Sequence, residues 1–276
     1  MLQFAVSSEL CTRCGECVMD CPARIIEMSD GDPPRIRPEN ERDCMQCQHC
    51  LTVCPTGAIS ILGRDPRASL PLDREHLPSL DQMSVLVRGR RSVRRYRDEN
   101  VDPQLLRRLL ADAANAPTGV NARKLTFRVI DDKEVQARFR RKALDRIIEA
   151  DQAGTLPESA RYLKRIVSLW QSEGRDLLFR GAPHALIVSA PPDAPCPEQD
   201  VVIALAYFEL LAQSAGLGTV WWGMLSWVLE TLPDLKEVLG IPSDHKYYAM
   251  LFGVPAFQYA RTAQRDDAAV VLRVDL

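Results

Sequence analysis

The sequence predicts an α+β chain in two unequal parts, and three observations predict it. Eight of its nine cysteines fall within the first 62 residues, in two sets of identical spacing. From residue 83 onward, short apolar segments of period two alternate with longer segments of helical period. Between these parts, Pro66, Pro71 and Pro78 punctuate a stretch with little apolar pattern, which reads as an extended linker. The expected division is a small cysteine-bearing domain over 1–62, a linker over 63–82 and a larger domain over 83–276. The order of elements in the larger domain suits one mixed sheet flanked by helices.

The first cysteine set is Cys11, Cys14, Cys17 and Cys21, followed by Pro22; the second is Cys44, Cys47, Cys50 and Cys54, followed by Pro55. Adding 33 to each position of the first set gives its counterpart in the second, and Ile26 maps onto Ile59, so the segment is an internal repeat. Thiolates at C-x₂-C-x₂-C-x₃-C-P spacing suit a compact iron–sulfur core. Three come from one tight loop, and the fourth turns the chain away at proline. Structural zinc also uses four thiolates, but as two separated pairs. A disulfide framework suits small secreted domains, and no leader segment is visible here. The spacing favours iron–sulfur over both.

Composition bounds the partners. Apolar content of 46% and charged content of 26% are ordinary for a globular chain, so the larger part has material for a core. No apolar run approaches the roughly 20 residues of a membrane span, so no membrane partner is expected. Retained thiolates point to a reducing compartment, read as cytoplasm. Residues 1–62 hold nine acids and five bases, a balance of −4, which leaves +2 for the remainder of a chain whose net charge is −2. Nucleic acid is excluded as a partner of so acidic a module.

In the larger part, six arginines and no acid fall between Arg88 and Arg97. Arginine forks suit phosphate, and a pocket for an anion competes here with a merely solvated face. Asp102 and Pro103 predict a helix start, followed by Leu105, Leu106, Leu109, Leu110 and Ala113 at helical spacing. A turn-rich loop over 115–121 leads to a strand at Leu125, Phe127 and Val129. Residues 133–180 are polar, helical and arginine-rich, the signature of a lid or dimer-facing insertion. His184 opens an apolar strand to Ala190 and is read as structural, and Cys196, alone in a proline-rich loop, as incidental. Val201–Ala215 is apolar almost all round with Glu209 its one charge, hence a buried helix, and Gly216 fits its C-cap. Residues 218–223 then read as a strand reaching a glycine turn, Leu232–Gly240 as a short helix and Lys246–Phe252 as a strand. Neither a dinucleotide fingerprint nor a Walker-type loop is present.

The motifs carry two resemblances. Residues 1–62 resemble the two-cluster bacterial ferredoxins, where the fourth cysteine of each motif ligates the other cluster. This implies Cys11, Cys14, Cys17 and Cys54 on one [4Fe–4S] cluster, and Cys44, Cys47, Cys50 and Cys21 on a second. In the larger part, Arg90-Arg-Ser92-Val-Arg94 with Tyr96 is similar to the N-terminal flavin motif of the nitroreductase family of FMN flavoproteins. Ala116-Pro-Thr-Gly-Val-Asn121, Gly216-Leu-Gly-Thr-Val-Trp-Trp-Gly223, and Gly253-Val-Pro255 with Arg261 resemble three further segments of that family, in the same order. The whole chain thus resembles a fusion of a two-cluster ferredoxin-like domain with a nitroreductase-like mixed sheet flanked by helices.

The resemblance implies that Arg90 and Arg261 bind the FMN phosphate and that Ser92 hydrogen-bonds near it. Arg94 would face the N1–C2 carbonyl edge of the flavin, where reduction places negative charge. Pro117 and Thr118 would line the flavin across a homodimer interface, Asn121 would meet the flavin or its ribityl chain, and the Gly223 backbone would approach N5. Arg91 and Trp222 join the same cofactor-binding set. Where the family commonly continues Asn-x-Gln-Pro-Trp, this chain has Asn121-Ala-Arg123-Lys124-Leu125, so Arg123 stands at the position of the pyrimidine-facing glutamine. The expected activity is reduction of a small organic acceptor (nitroaromatic, quinone, enone or similar), with reduced ferredoxin or an NAD(P)H-linked donor as external electron source. No catalytic residue is assigned. A flavin-modifying or dehalogenating enzyme on the same scaffold and an electron carrier without a substrate of its own are the rival readings.

Overall fold

The computed structural model describes residues 2–265 and 269–275. The chain divides into two compact units, one of Met1–Pro78 with Val120–Ala122, the other of Ser79–Gly119 with Arg123–Leu276.

The first unit carries the sequence repeat into three dimensions. Helix α1 (Glu16–Met19) recurs as α2 (His49–Thr52), and strand β2 (Ile26–Glu27) recurs as β4 (Ile59–Ser60), each 33 residues on. Backbone conformation repeats as well: Arg13, Gly15 and Arg24 adopt positive φ, and so do Gln46, Gln48 and Gly57 at the equivalent positions. Non-glycine residues resist that region, so the recurring strain marks loops whose shape is dictated by what they surround. Strand β1 (Ala5–Val6) pairs with β4, and β2 pairs with β3 (Arg35–Ile36), all antiparallel. The core is small: Leu2, Ile25, Ile26, Leu51, Ile59 and Ile61 pack with Cys17 and Cys50. In Val120–Ala122, which belongs to this unit, the Asn121 side chain donates to the Met45 carbonyl at 2.9 Å.

The stretch after Leu62 forms two short 3₁₀ turns at Pro66–Ala68 and Arg74–His76. The linker expected through residue 82 ends earlier. Ser79 Oγ accepts from the Gln82 N–H at 3.2 Å, and Gln82 Oε1 accepts from the Ser79 N–H at 2.8 Å. This capping box starts α3 (Leu80–Gly89), and the Ser-x-x-Gln signal for it stands in the sequence.

The second unit is a sheet covered on both faces. Its elements are α4 (Pro103–Ala113), β5 (Thr126–Ile130), α5 (Lys133–Gln152), α6 (Arg161–Glu173), β6 (His184–Ala190), α7 (Pro197–Ser214), β7 (Gly218–Trp221), α8 (Gly223–Thr231), α9 (Asp234–Val238) and β8 (Lys246–Gly253). The strand order is β5-β6-β8-β7, with every neighbouring pair antiparallel. The mixed character expected of the sheet is confined to one residue pair, a parallel bridge from Ser92 to Thr219. Side chains alternate across the sheet with period two. Ala185, Ile187, Ala249 and Leu251 face a core with α5, α6 and α8, while Leu186, Val188, Met250 and Phe252 face another with α4 and α7. Burial on both faces is why His184–Ala190 reads as a continuous apolar run. The glycine turn expected at Gly223 is instead the first residue of α8, and the helix expected over 232–240 is the shorter α9.

Phe208 of α7 is fully buried and meets Phe252 edge-on, with ring centroids 5.2 Å apart. Phe208→Ala should lower unfolding free energy by about 3–5 kcal/mol, read from denaturant midpoints.

Candidate functional site

Two cysteine cages form in the first unit, and each draws its fourth thiol from the other motif. One cavity is lined by Cys11, Cys14, Cys17 and Cys54, the second by Cys21, Cys44, Cys47 and Cys50. All eight are free thiols. Burial pushes the Cys50 thiol up to about 12 and also raises Cys17 and Cys44. Burial acts the same way on Cys54, but hydrogen bonds from the Ala58 N–H at 3.2 Å and from Thr56 outweigh it, and its pKa falls. Buried thiols with few hydrogen-bond donors around them are costly to ionise unless a metal takes them as thiolates. Among the described residues no three His, Cys, Asp or Glu side chains converge to hold a single metal ion. A polynuclear iron–sulfur core, which takes one thiolate per iron, needs donors farther apart, and the cages fit that group.

In the second unit the arginine-rich segment after α3 is built into the sheet edge. The Val93 N–H donates to the Thr219 carbonyl at 2.8 Å, the Arg97 N–H to the Val254 carbonyl at 2.8 Å, and the Ala256 N–H to the Arg95 carbonyl at 3.1 Å. This pairing brings the segment between β7 and the chain after β8. Gly218 is required there, because a Cβ would stand 2.7 Å from Val93 Cβ. Beside the segment lies a cavity of about 610 Å³. Arg91 and Arg261 line it with Gln82, Gln213, Phe257 and Tyr259, and among the described residues no acidic side chain does.

One buried acid anchors this arrangement. Glu209 of α7 is 5% exposed and accepts from Arg90 Nη1 at 3.1 Å, Thr219 Oγ1 at 3.3 Å and Trp221 Nε1 at 3.0 Å. It ties the arginine segment, β7 and α7 together.

Of the residues read from the sequence, the structure gathers Arg91 and Arg261 at one cavity. Arg90 is turned to Glu209 instead, drawn by a carboxylate with little access to water. Ser92 bridges β7, and Arg94 is exposed, its Nη1 donating to the Ser92 carbonyl at 3.3 Å. Trp222 is not available as a cofactor contact. It is 2% exposed, donates from Nε1 to the Leu178 carbonyl at 2.9 Å and packs on Phe179. Gly223 starts α8 beneath Tyr248, whose hydroxyl would lie 2.6 Å from an added Cβ. Pro117 is exposed, Thr118 accepts from the Arg123 N–H at 3.0 Å, and the Gly119 N–H donates to buried Asp200 at 2.9 Å. Asn121 belongs to the first unit. Sequence reasoning missed Gln82, Gln213 and Tyr259 as cavity residues, for which no motif signals; Glu209 was legible as a lone charge in an apolar helix.

His184 is structural: it is fully buried, and its Nε2 accepts from the Val101 N–H at 3.0 Å.

The fold and these sites define a two-unit α+β protein with paired thiolate cages and a cationic cavity, the parts of an iron–sulfur oxidoreductase. The nitroreductase family model matches residues 87–254, and a 4Fe-4S dicluster domain model matches residues 10–59. The chain belongs to the nitroreductase family and carries a 4Fe-4S dicluster domain at its front. It is 29% identical to the iodotyrosine deiodinase of Thermotoga neapolitana over 154 residues, 55% of this chain and 75% of that protein. Among solved structures it is similar to a nitroreductase with bound FMN from Bacteroides fragilis, at 20% identity and a TM-score of 0.54, covering 69% of this chain and 99% of the other. It is also similar to an iodotyrosine deiodinase bound to FMN and 3-iodo-L-tyrosine, at 21% identity and a TM-score of 0.50, covering 70% and 99%. These structural likenesses bear on the fold.

Two predictions follow from the buried groups. Glu209→Ala strands Arg90 and two neutral donors and should cost about 3 kcal/mol of stability; Arg90→Ala should cost less, since Thr219 and Trp221 still satisfy the carboxylate. Denaturant unfolding of both variants decides the order. Burial lowers the His184 pKa from its ordinary 6.5, against weaker opposing pulls from Ile130, Asp131 and Asp132. The unfolded chain therefore binds that proton more tightly, so stability is full above about pH 6.5 and falls as pH drops below it. In His184→Gln that acid-side loss should shrink, measured as urea midpoints at about pH 7.5 and about pH 5.5.

Proposed function

We propose that this chain is an FMN-dependent reductase in which two [4Fe–4S] clusters relay single electrons toward reduction of a small organic acceptor. The reading is carried by one observation: a chain with two four-cysteine cages also has a large cavity lined by Arg91 and Arg261 and, among the described residues, by no acid. Its volume falls within the ordinary range for cofactor sites. When bound, the clusters supply electrons singly, and FMN collects two for delivery as a hydride equivalent.

The chain's own residues divide the work. Cys11, Cys14, Cys17 and Cys54 hold one cluster, and Cys44, Cys47, Cys50 and Cys21 hold the other. Arg91 and Arg261 grip the phosphate, each with a planar fork that donates in pairs. Arg90, held by Glu209, fixes the segment that carries them. Ser92, Arg94 and the Gly223 backbone, which do not line that cavity, would be the residues to meet the rest of the cofactor, Arg94 supplying a positive charge that favours its reduced form. Pro117, Thr118, Asn121 and Arg123 complete the site in a homodimer. Apolar side chains left exposed, Val85 and Val87 on α3 and Trp227 on α8, support a second copy as the partner. Cytoplasm suits the retained thiolates, and among the described residues no helix is long and apolar enough to cross a membrane. Reduced ferredoxin or an NAD(P)H-linked donor serves as external electron source.

Anaerobically purified protein should contain iron, sulfide and FMN, and stepwise reduction should bleach the clusters and then the flavin; clusters that never exchange electrons with the flavin would refute the reading. Arg91→Ala and Arg261→Ala should each weaken FMN binding about ten-fold or more while leaving riboflavin, which lacks the phosphate, bound as before.

The likeness to iodotyrosine deiodinases favours reductive dehalogenation as a second reading. There, two electrons and a proton replace a carbon–iodine bond with carbon–hydrogen, and iodide leaves. Iodide release from 3-iodo-L-tyrosine by the dithionite-reduced enzyme separates this from nitroaromatic or quinone reduction.

A further inference from the structure

The 33-residue repeat allows the two cages to be compared position by position. Thr12, Arg13, Glu16 and Thr56 line the cage of Cys11, Cys14, Cys17 and Cys54. The position equivalent to Thr12 in the other cage is Met45, and the residue two past its crossing cysteine is Ala23 where the first cage has Thr56. Ile25, Ile26, Ile36 and Ile61 line that second cage together with Gln48 and His49, whereas Ile59, Met28 and Pro34 are the apolar part of the first. Arg13 has Gln46 as its counterpart, which does not line the second cavity. Exposure differs in the same sense: Cys14 is exposed, whereas its counterpart Cys47 is half-buried. Formal charge does not set the cages apart, because Arg13 offsets Glu16 in one and Asp20 lies 3.1 Å from His49 in the other.

We propose that the two cages are electrically unequal, with Thr12, Arg13 and Thr56 making the Cys11–Cys14–Cys17–Cys54 cage the easier to reduce. The inference rests on the ligand assignment given above. Each reduction takes one electron from an external reductant and adds one negative charge to an already anionic core. Hydroxyls, a guanidinium and nearby water stabilise that charge, and an isoleucine wall does not. Each cage also receives a backbone N–H, the first from Ala58 to Cys54 at 3.2 Å and the second from Gln46 to Cys44 at the longer 3.4 Å. The Thr56 hydroxyl stands 3.8 Å from Cys54 Sγ and also reaches the Leu10 carbonyl at 2.8 Å, so its contribution is smaller than that of Arg13.

The test is a dithionite titration of the full-length, anaerobically purified protein, followed by electron paramagnetic resonance, after iron and sulfide have been counted. Two separate one-electron cluster steps are expected. Arg13→Gln and Thr56→Ala copy the residues at the equivalent positions of the other cage; each should move the upper step down and leave the lower in place, with Arg13→Gln moving it farther. Ala23→Thr should raise the lower step alone, which keeps the test open if a variant of the first cage fails to assemble. A single step in the unaltered protein would overturn the inequality, and so would variants that shift the lower step or both together. Iron and sulfide short of two clusters per chain would instead overturn the ligand assignment itself.

Discussion

A carboxylate with almost no access to water must be satisfied from within, and Glu209 recruits three donors to that end. Its partners come from two places, Arg90 at the end of α3, 119 residues away, and Thr219 and Trp221 on β7. Because α7 packs its apolar residues Val201, Ala204, Leu205, Phe208 and Ala212 against the sheet, the acid cannot move to meet its donors. They must come to it. The arginine segment is thereby set against β7, the backbone pairing of Val93 with Thr219 follows, and the chain after β8 closes over the other side. Removing the charge would leave a half-buried guanidinium without its counterion, a larger loss than any single contact along the segment.

The cages illustrate the opposite economy. The first unit has few large apolar side chains, and two of its core positions are cysteines. Such a core is too small to hold strained loops by packing alone. Yet Arg13, Arg24, Gln46 and Gln48 all adopt left-handed backbone, in register with the repeat. Crossing ligands account for this: a cluster held by thiolates from both halves would supply through covalent bonds the cohesion that burial does not.

Much of this was legible in the sequence because it rests on spacing. The cysteine repeat, the Asp102 cap and the period-two strands are local patterns whose geometry follows from backbone dimensions alone. Asp102 accepts from the Gln104 and Leu105 N–H groups, as its position before Pro103 predicts. What stayed hidden depends on contacts distant in sequence. Nothing near Trp222 says that its indole serves the core and that of Trp221 serves Glu209; adjacent strand residues face opposite ways, and only the packed sheet decides which faces inward. The early start of α3 was legible in principle, through Ser79 and Gln82, but the neighbouring prolines masked it. Gln82, Gln213 and Tyr259 reach the cavity from three separate segments, and no motif unites them.

The same alternation resolves the arginine segment. Its residues 90–94 run along an edge of the sheet, so successive side chains point to opposite sides. Arg91 and Val93 line the cavity, whereas Arg90, Ser92 and Arg94 do not. One face is therefore turned to the cavity and the other to the fold, with Arg90 paired to Glu209. A run of arginines of one sign is costly to concentrate, since like charges repel across a few ångströms. Neutralising one of them with an internal carboxylate lowers that cost and leaves its neighbour's charge directed at the cavity. Arg-Arg in this segment is thus two different residues in physical terms: an internal counterion to Glu209 and a guanidinium on the cavity wall, separated by a single peptide unit.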